Sequence, residues 1–340
     1  MARPPIPLGN ASFDEILDLR FCDLGLTLEG TWVEEQLERL FLELEERDLR
    51  LRPHFWLADE WFSPDHVPGI AIPFYLAHPR LMRVERKMMY EVEGGTRAEC
   101  MKLLRHEAGH AVQHGYRLHL RRRWQKIFGK SSEPYPDFYR PRPGSRRFVH
   151  HLDGWYAQSH PVEDFAETFA VWLTPRSGWR SRYAGWPALR KLEYVDELMA
   201  ELAGEAPPVK SRQRPYAVTR LRHTLREHYE KRMAHYRPGY TEAYDHDLTR
   251  LFSDEARYQN SLSAATFIRR HRPAVRRQVA DWTGAYQFTI DQVLKEMIGR
   301  CRFLQLRLTK SEARTRTDFA IMLTVHTVNT LRRGHEWHPL

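Results

Sequence analysis

The feature that most limits the folds open to this chain is two pairs of ionisable residues, each pair spaced four residues apart. His106 and His110 lie in the stretch LLRHEAGHAVQHG, and Glu163 and Glu167 lie in VEDFAETFAVWL. Residues four apart project from the same face of an α-helix. Two acids on an otherwise apolar helix are costly to bury without a partner, and a metal ion shared with the histidines removes that cost. We therefore expect two helices that face each other across one metal ion.

Both stretches also carry signals for where their helices begin and end. Thr96 and Glu99 are spaced as a capping box, in which each side chain accepts a hydrogen bond from the other residue's backbone N–H. Gly115 is suited to end this helix. The second helix is predicted to begin near His160-Pro161, because proline favours the first turn, and to end before Pro175.

The first helix contains the motif H-E-x-x-H at 106–110, which is typical of zinc-dependent hydrolases. Glu107 lies about 100° around the helix from the first histidine. It is therefore expected near the metal but not bound to it, where a general base takes a proton from water. The motif alone leaves open the alternative of an amphipathic helix with two surface histidines.

A catalytic zinc site usually has three protein ligands and one open position. Gln113 and Tyr116 stand where the metzincin pattern requires glycine and histidine, so that class is excluded. The remaining common solution is a carboxylate from a second helix, and Glu163 is the predicted third ligand of Zn²⁺. Glu167 is expected to accept a hydrogen bond from the free ring nitrogen of a ligating histidine, which fixes the tautomer of that histidine.

With these residues in view, the chain resembles the gluzincin superfamily of zinc metallopeptidases, which pair an H-E-x-x-H helix with a glutamate on a later helix. The stretch EDFAE at 163–167 is most similar to the E-x-F-A-E motif of the anthrax lethal factor branch. The chain also looks like bacterial proteins described as zinc-binding metallopeptidases. The resemblance covers roughly 95–175. It implies peptide-bond hydrolysis on a peptide or protein substrate, and it implies that Tyr156, seven residues before Glu163, stabilises the oxyanion.

Three further polar residues near the motifs have open or minor roles. His160 is either a second donor to the oxyanion or the cap of the second helix. His114 is expected on the helix surface or beside the ligands rather than among them. Asp164 is expected to be a surface acid or to interact with the helix dipole.

The region before the first motif predicts the sheet of an α+β fold. An amphipathic helix is expected within 11–50, followed by short strands between Pro-containing turns. The best strand is GIAIPFYLA, and Pro73 within it favours an edge strand. We predict a small, mostly antiparallel sheet packed on the H-E-x-x-H helix, followed by a largely helical C-terminal region. The edge strand either binds an extended peptide by β-addition or is an ordinary edge.

The charge is unevenly distributed and predicts two domains. Residues 209–340 carry 25 Lys and Arg against 13 Asp and Glu, whereas residues 1–208 carry 28 against 31. A linker-like segment at 203–215 separates them. We predict a zinc metallopeptidase-like catalytic domain at 1–208 and a basic helical domain of unknown role at 209–340. The basic half is either a solvated Arg-rich surface or a binder of nucleic acid or another acidic partner, although no nucleic-acid-binding signature is visible.

Composition indicates in which cellular compartment the protein is expected to function. No apolar run approaches the length of about 20 residues that a membrane span needs, and the N-terminal stretch lacks the apolar segment of a secretory signal. The three cysteines are far apart and form no framework of disulfides. We expect a soluble, cytoplasmic protein with no membrane partner. The rival hypotheses are a catalytically inert metal-binding scaffold and a nucleic-acid-binding protein.

Overall fold

The computed structural model of the protein describes residues 8–9, 11–136, 139, 141–142, 144–235 and 244–332. Contacts divide the chain into two compact units, Met1–Met88 with Val92–Tyr229, and Met89–Glu91 with Glu230–Leu340. Both units are mainly helical with very short strands, which agrees broadly with the predicted α+β class. No helix in the described part of the chain combines the length and apolar character needed to cross a membrane.

The elements that lie wholly or mostly in the first unit are α1 (Phe13–Leu17), α2 (Trp32–Glu45), β1 (His54–Ala58), β2 (Gly69–Pro73), α3 (Pro79–Met89), α4 (Arg97–Gly115), α5 (Arg122–Phe128), α6 (Pro161–Leu173), α7 (Trp179–Arg182) and α8 (Leu189–Leu202). Helix α9 (Leu225–His235) passes from the first unit into the second after Tyr229. The elements of the second unit are α10 (Asp245–Leu251), β3 (Phe252–Ser253), α11 (Ala264–Thr283), α12 (Gln287–Phe303), β4 (Arg307–Leu308) and α13 (Glu312–Arg332).

The sheet of the first unit differs from the predicted one. Strands β1 and β2 pair in parallel, with His54 opposite Gly69, so the prediction of a mostly antiparallel sheet is wrong for this pair. The connection between them is not a tight hairpin. It runs back along β2 on its other side, where Phe62 forms an antiparallel bridge with Ala71. The Ala71 N–H donates to the Phe62 carbonyl at 2.8 Å.

The predicted long strand GIAIPFYLA is also shorter than expected. Strand β2 ends at Pro73, and Phe74–Ala77 form a 3₁₀ turn. All five residues of β2 are buried, and Phe62 occupies the side of Ala71 away from β1. The strand therefore offers no open edge at that residue to an extended peptide, and the role of a peptide-binding edge is not supported. Strand β2 contacts α4, the helix that carries the H-E-x-x-H motif.

The segment after the predicted linker packs on the first unit. The Trp56 indole N–H donates to the Pro215 carbonyl at 2.9 Å, and the Tyr229 hydroxyl donates to the buried Glu85 carboxylate at 2.7 Å. Residues 209–229 therefore belong with the first unit by contacts, whereas the linker predicted a boundary at 208/209. The change in net charge along the sequence does not reveal this boundary. The segment is basic like the rest of the C-terminal half, but its contact with Trp56 is made by an uncharged backbone carbonyl.

The second unit is a helical layer around its own apolar core. Strands β3 and β4 pair antiparallel, and α11 packs against α12 and α13. Phe252, Phe267 and Phe319 are fully buried in this core. Arginines of the basic half also form ion pairs within this unit: Arg276 contacts the fully buried Asp291 at 2.9 Å, and Arg270 contacts Glu312 at 2.9 Å.

Candidate metal centre

The candidate site lies where α4 and α6 pack against each other. The predicted capping box at the start of α4 is present, with reciprocal hydrogen bonds between Thr96 and Glu99. The two helices approach closely at Gly109, since a Cβ on this residue would lie 2.8 Å from the Ala166 Cα. Because glycine allows this approach, the polar faces of the two helices meet directly.

Three side chains form a compact triangle between these helices. The His106 Nε2 lies 3.1 Å from the His110 Nε2 and 3.1 Å from the Glu163 Oε2. The His110 Nε2 lies 3.2 Å from the same carboxylate oxygen. All three side chains are buried. Two ligands about 2.1 Å from a tetrahedral ion lie about 3.4 Å apart, so one ion fits these donors after a small expansion. The prediction that these residues lie together is confirmed.

The electrostatics of the triangle favour a cation at its centre. Burial opposes a charged imidazole, yet the carboxylates of Glu163 and Glu167 raise the pKa of His106 well above its ordinary value. Burial likewise opposes ionisation of Glu163, but the adjacent His110 and His106 hold the pKa of its carboxyl well below its ordinary value. The carboxylates thus require positive charge, which a divalent ion supplies. Two imidazoles, one carboxylate and an open fourth position are the donor set of a catalytic zinc ion, so the site is compatible with Zn²⁺.

Glu167 contacts the His106 ring at Nδ1, the nitrogen that is not part of the triangle. Its Oε1 lies 2.8 Å from the His106 Nδ1, and its Oε2 accepts a hydrogen bond from the Leu152 N–H at 2.8 Å. An ionised carboxylate only accepts, so the His106 Nδ1 carries a proton, and Nε2 is the ring nitrogen that would bind a metal ion after losing its own proton. This is the contact that the i, i+4 spacing of the two glutamates predicted.

Glu107 lies beside the triangle with an unused oxygen. The residue is buried, and within the described part of the chain its Oε2 has no hydrogen-bond partner. Burial raises the pKa of its carboxyl, although His106 and His110 oppose the shift. A buried acceptor without a partner is costly. It is explained if the site holds a water or substrate proton at that oxygen.

Tyr156 approaches the site from a strained turn. Its ring centroid lies 5.6 Å from that of His106. In the turn Asp153–Gln158 the φ angles of Gly154 and Trp155 are 71° and 57°, and positive φ is unusual for a residue as large as tryptophan. The Tyr139 hydroxyl donates to the Gly154 carbonyl at 2.9 Å and helps to hold this backbone. Burial and the nearby Glu163 raise the pKa of Tyr156 well above its ordinary value, so the phenol stays protonated.

His160 has the contacts of a helix cap. It is the N-cap of α6, and its Nδ1 accepts from the Val162 N–H at 3.4 Å. Its Nε2 therefore carries the proton and lies 2.8 Å from the Glu133 carbonyl. Of the two roles considered from sequence, these contacts match the cap, because the donor needed for an oxyanion is already engaged.

Tyr135 is a site residue that sequence reasoning missed. Its hydroxyl donates to the Glu163 Oε1 at 2.8 Å, and its ring stacks on that of His160 at 3.9 Å with an interplanar angle of 18°. Tyr135 lies in the Pro-rich segment between α5 and α6, which has no periodic pattern. No spacing rule connects it to Glu163, 28 residues later.

Two other sequence expectations need correction or refinement. Asp164 is buried rather than a surface acid, and its Oδ2 contacts the Lys191 Nζ at 2.5 Å. His114 is also buried; its Nδ1 accepts from the His66 N–H at 3.3 Å, and its ring lies 5.7 Å from that of His119. Among the described residues, only His106, His110 and Glu163 form a group able to hold a metal ion, so His114 lies outside the ligand set.

Comparison with known proteins supports this class of site. The model of a family described as "putative zinc-binding metallo-peptidase" matches residues 85–180, a range that includes α4, the Tyr156 turn and α6. No curated protein and no solved structure matches the chain. At the level of the family, the match supports a zinc-dependent peptidase.

Proposed function

We propose that this protein is a zinc metallopeptidase of the gluzincin type, in which His106, His110 and Glu163 hold the ion and Glu107 is the general base. The observation that carries the proposal is the buried triangle of three donor atoms with the unpartnered Glu107 oxygen beside it. A zinc ion in this position supplies a Lewis acid that polarises a carbonyl and lowers the pKa of water.

The proton transfers are assigned to Glu107. Its free Oε2 takes a proton from the water that attacks the peptide carbonyl, and the carboxyl group then gives that proton to the leaving amine. Burial raises the pKa of Glu107, which moves it toward neutral pH, where an acid–base catalyst is most effective. The contacts of the three glutamates support different roles. Glu163 and Glu167 contact histidines, whereas no such contact occupies the Glu107 Oε2 in the described part of the chain.

Tyr156 is the proposed donor to the oxyanion that develops on the substrate carbonyl. Its ring already lies beside His106, and its phenol remains protonated because burial and the nearby acid raise its pKa. A pre-positioned donor in a dry site contributes on the order of 3 kcal/mol to the transition state. His160 contributes by holding the start of α6 and therefore the position of Glu163.

The open fourth position separates this proposal from an inert scaffold. Structural zinc sites are closed by four protein ligands, whereas three donors meet here. A scaffold would also have no use for Glu107, whose buried oxygen has no hydrogen-bond partner in the described part of the chain.

The test is metal content by mass spectrometry on the purified full chain, followed by cleavage of a peptide library. We expect about one zinc per chain, retained in Glu107→Gln and lost in Glu163→Ala. Cleavage should fall by about 10²–10⁴-fold in Glu107→Gln and by a smaller factor, in kcat rather than KM, in Tyr156→Phe. No zinc after reconstitution would overturn the proposal. Zinc without any Glu107-dependent cleavage would favour the inert scaffold.

A further inference from the structure

The hydroxyl of Tyr135 points into the protein although the residue is exposed. Its side chain is 48% exposed, yet its hydroxyl points inward and donates to the buried Glu163 at 2.8 Å. A half-exposed tyrosine would ordinarily place its polar end in water. The contact instead joins the loop before α6 to the carboxylate that closes the ligand triangle.

The hydrogen bond involves the oxygen of Glu163 that the histidines do not use. The Oε2 faces both His106 and His110, whereas the Oε1 accepts from Tyr135. A carboxylate can bind an ion through one oxygen or through both. With the Oε1 held by a phenol, binding through the Oε2 alone is favoured and the fourth position stays open for water or substrate.

The phenol is itself held in place by a short chain of contacts. Its ring stacks on His160, and His160 is fixed through both nitrogens, by the Val162 N–H and the Glu133 carbonyl. Glu133 and Tyr135 belong to the same loop, so His160 fixes this loop at two points.

We propose that Tyr135, stacked on His160, is a positioning residue that holds Glu163 in single-oxygen coordination and thereby sets the zinc affinity of the site. This inference rests on the zinc site of the proposed function. It assigns His160 to the support of Tyr135 rather than to the oxyanion.

The test is the zinc affinity of Tyr135→Phe, measured by competition with a chelator, together with the visible spectrum of the Co²⁺-substituted protein. Loss of a hydrogen bond to a ligating group typically weakens metal binding about 10–100-fold, and we expect a loss in this range. The Co²⁺ bands should weaken as the freed carboxylate binds through both oxygens, because four-coordinate Co²⁺ absorbs most strongly. Tyr116→Phe is the matched control, since the Tyr116 hydroxyl also donates a hydrogen bond, but to the backbone carbonyl of Glu205 at 2.8 Å, and it should keep the wild-type affinity.

His160→Asn provides a second, independent variant. Asparagine retains the ability to cap α6 but removes the ring beneath Tyr135. If His160 supports Tyr135, this variant also loses zinc affinity; if His160 serves the oxyanion, only kcat falls and the inference is wrong. Melting temperatures of the metal-free variants show that each one folds.

The two proposals fail in different ways. Wild-type affinity and an unchanged Co²⁺ spectrum in Tyr135→Phe would overturn the role of Tyr135 and leave the peptidase standing. Weakened zinc in this variant without cleavage by the wild type would support Tyr135 and overturn the peptidase. Absence of zinc in the wild type would overturn both.

Discussion

The Glu167 carboxylate accepts a hydrogen bond from the His106 Nδ1–H at 2.8 Å, and its second oxygen accepts one from the Leu152 N–H at 2.8 Å. Both oxygens of a fully buried acid thus have hydrogen-bond donors, one from the ligand His106 and one from the backbone. The proton on the His106 Nδ1 and the orientation of its ring are therefore fixed before any metal binds. This arrangement connects α4, α6 and the turn that leads to Tyr156.

Replacing Glu167 by glutamine should weaken zinc binding about 10–100-fold. A glutamine amide offers one acceptor and one donor where the protein presents two donors, so one contact is lost and the His106 ring is released. Chelator competition measures the effect, and Asp153→Asn is the control because the Asp153 side chain is 98% exposed. Equal affinities for the two variants would contradict the role of Glu167.

Gly109→Ala should separate α4 from α6. The new Cβ would lie 2.8 Å from the Ala166 Cα and 3.1 Å from the Ala166 carbonyl oxygen, and backbone cannot move aside as a side chain does. We expect unfolding to become easier by about 1–3 kcal/mol and zinc to bind less tightly.

Gly299→Ala in α12 is the matched control for this change, because its Cβ would meet no atom within 4 Å. Helix propensity alone should stabilise that variant by about 1 kcal/mol. The free energies of unfolding of both variants, measured by urea denaturation, test this prediction. A Gly109→Ala variant more stable than the wild type would show that the two helices do not require the close approach.

Lys191→Met should leave Asp164 buried without its cation. The two groups are in contact at 2.5 Å, with Asp164 buried and the Lys191 side chain only 14% exposed, and breaking a buried ion pair costs about 3 kcal/mol. Burial raises the pKa of Asp164 to about 7 even with Lys191 present. The cost should therefore be largest above pH 7 and shrink at lower pH, where the carboxyl takes up a proton.

The double variant Lys191→Met with Asp164→Leu supplies the control for this ion pair. It removes both charges, so much of the lost stability should return. Free energies of unfolding at pH 8 and pH 6 give the comparison. A single variant as stable as the wild type at pH 8 would show that the ion pair contributes nothing.

His114 should make the protein less stable in acid. Burial lowers its pKa to about 4, with the neighbouring His110, His119 and His66 adding to the shift and Asp65 opposing it. The unfolded chain takes up a proton near the ordinary pKa of about 6.5, whereas the folded state does not. Stability from this residue is therefore complete above pH 6.5 and is lost as the pH falls toward 4.

Between pH 7 and pH 5 this linkage amounts to about 2 kcal/mol. The variant His114→Gln, which keeps an acceptor for the His66 N–H, should lose about that much less stability than the wild type over the same interval. Denaturation at the two pH values measures the difference. Parallel losses in the two proteins would show that His114 is not the responsible group.

The sequence alone determined the residues of the candidate site that follow a regular spacing. The helical repeat places His106 with His110 and Glu163 with Glu167 on shared faces, and a buried pair of acids demands a partner. These are local facts of one helix each, so they could be derived before any tertiary contact was known. The capping box at Thr96 was predictable for the same reason.

Only the tertiary structure decided the contacts that cross between segments without a repeating pattern. It placed the Tyr135 hydroxyl on Glu163, paired Asp164 with Lys191 and made β1 and β2 parallel. It also kept residues 209–229 with the first unit. The physical reason is the same in each case. A hydrogen bond or ion pair between distant segments forms only where the tertiary fold brings those segments together. The spacing of residues along the chain does not determine which segments meet.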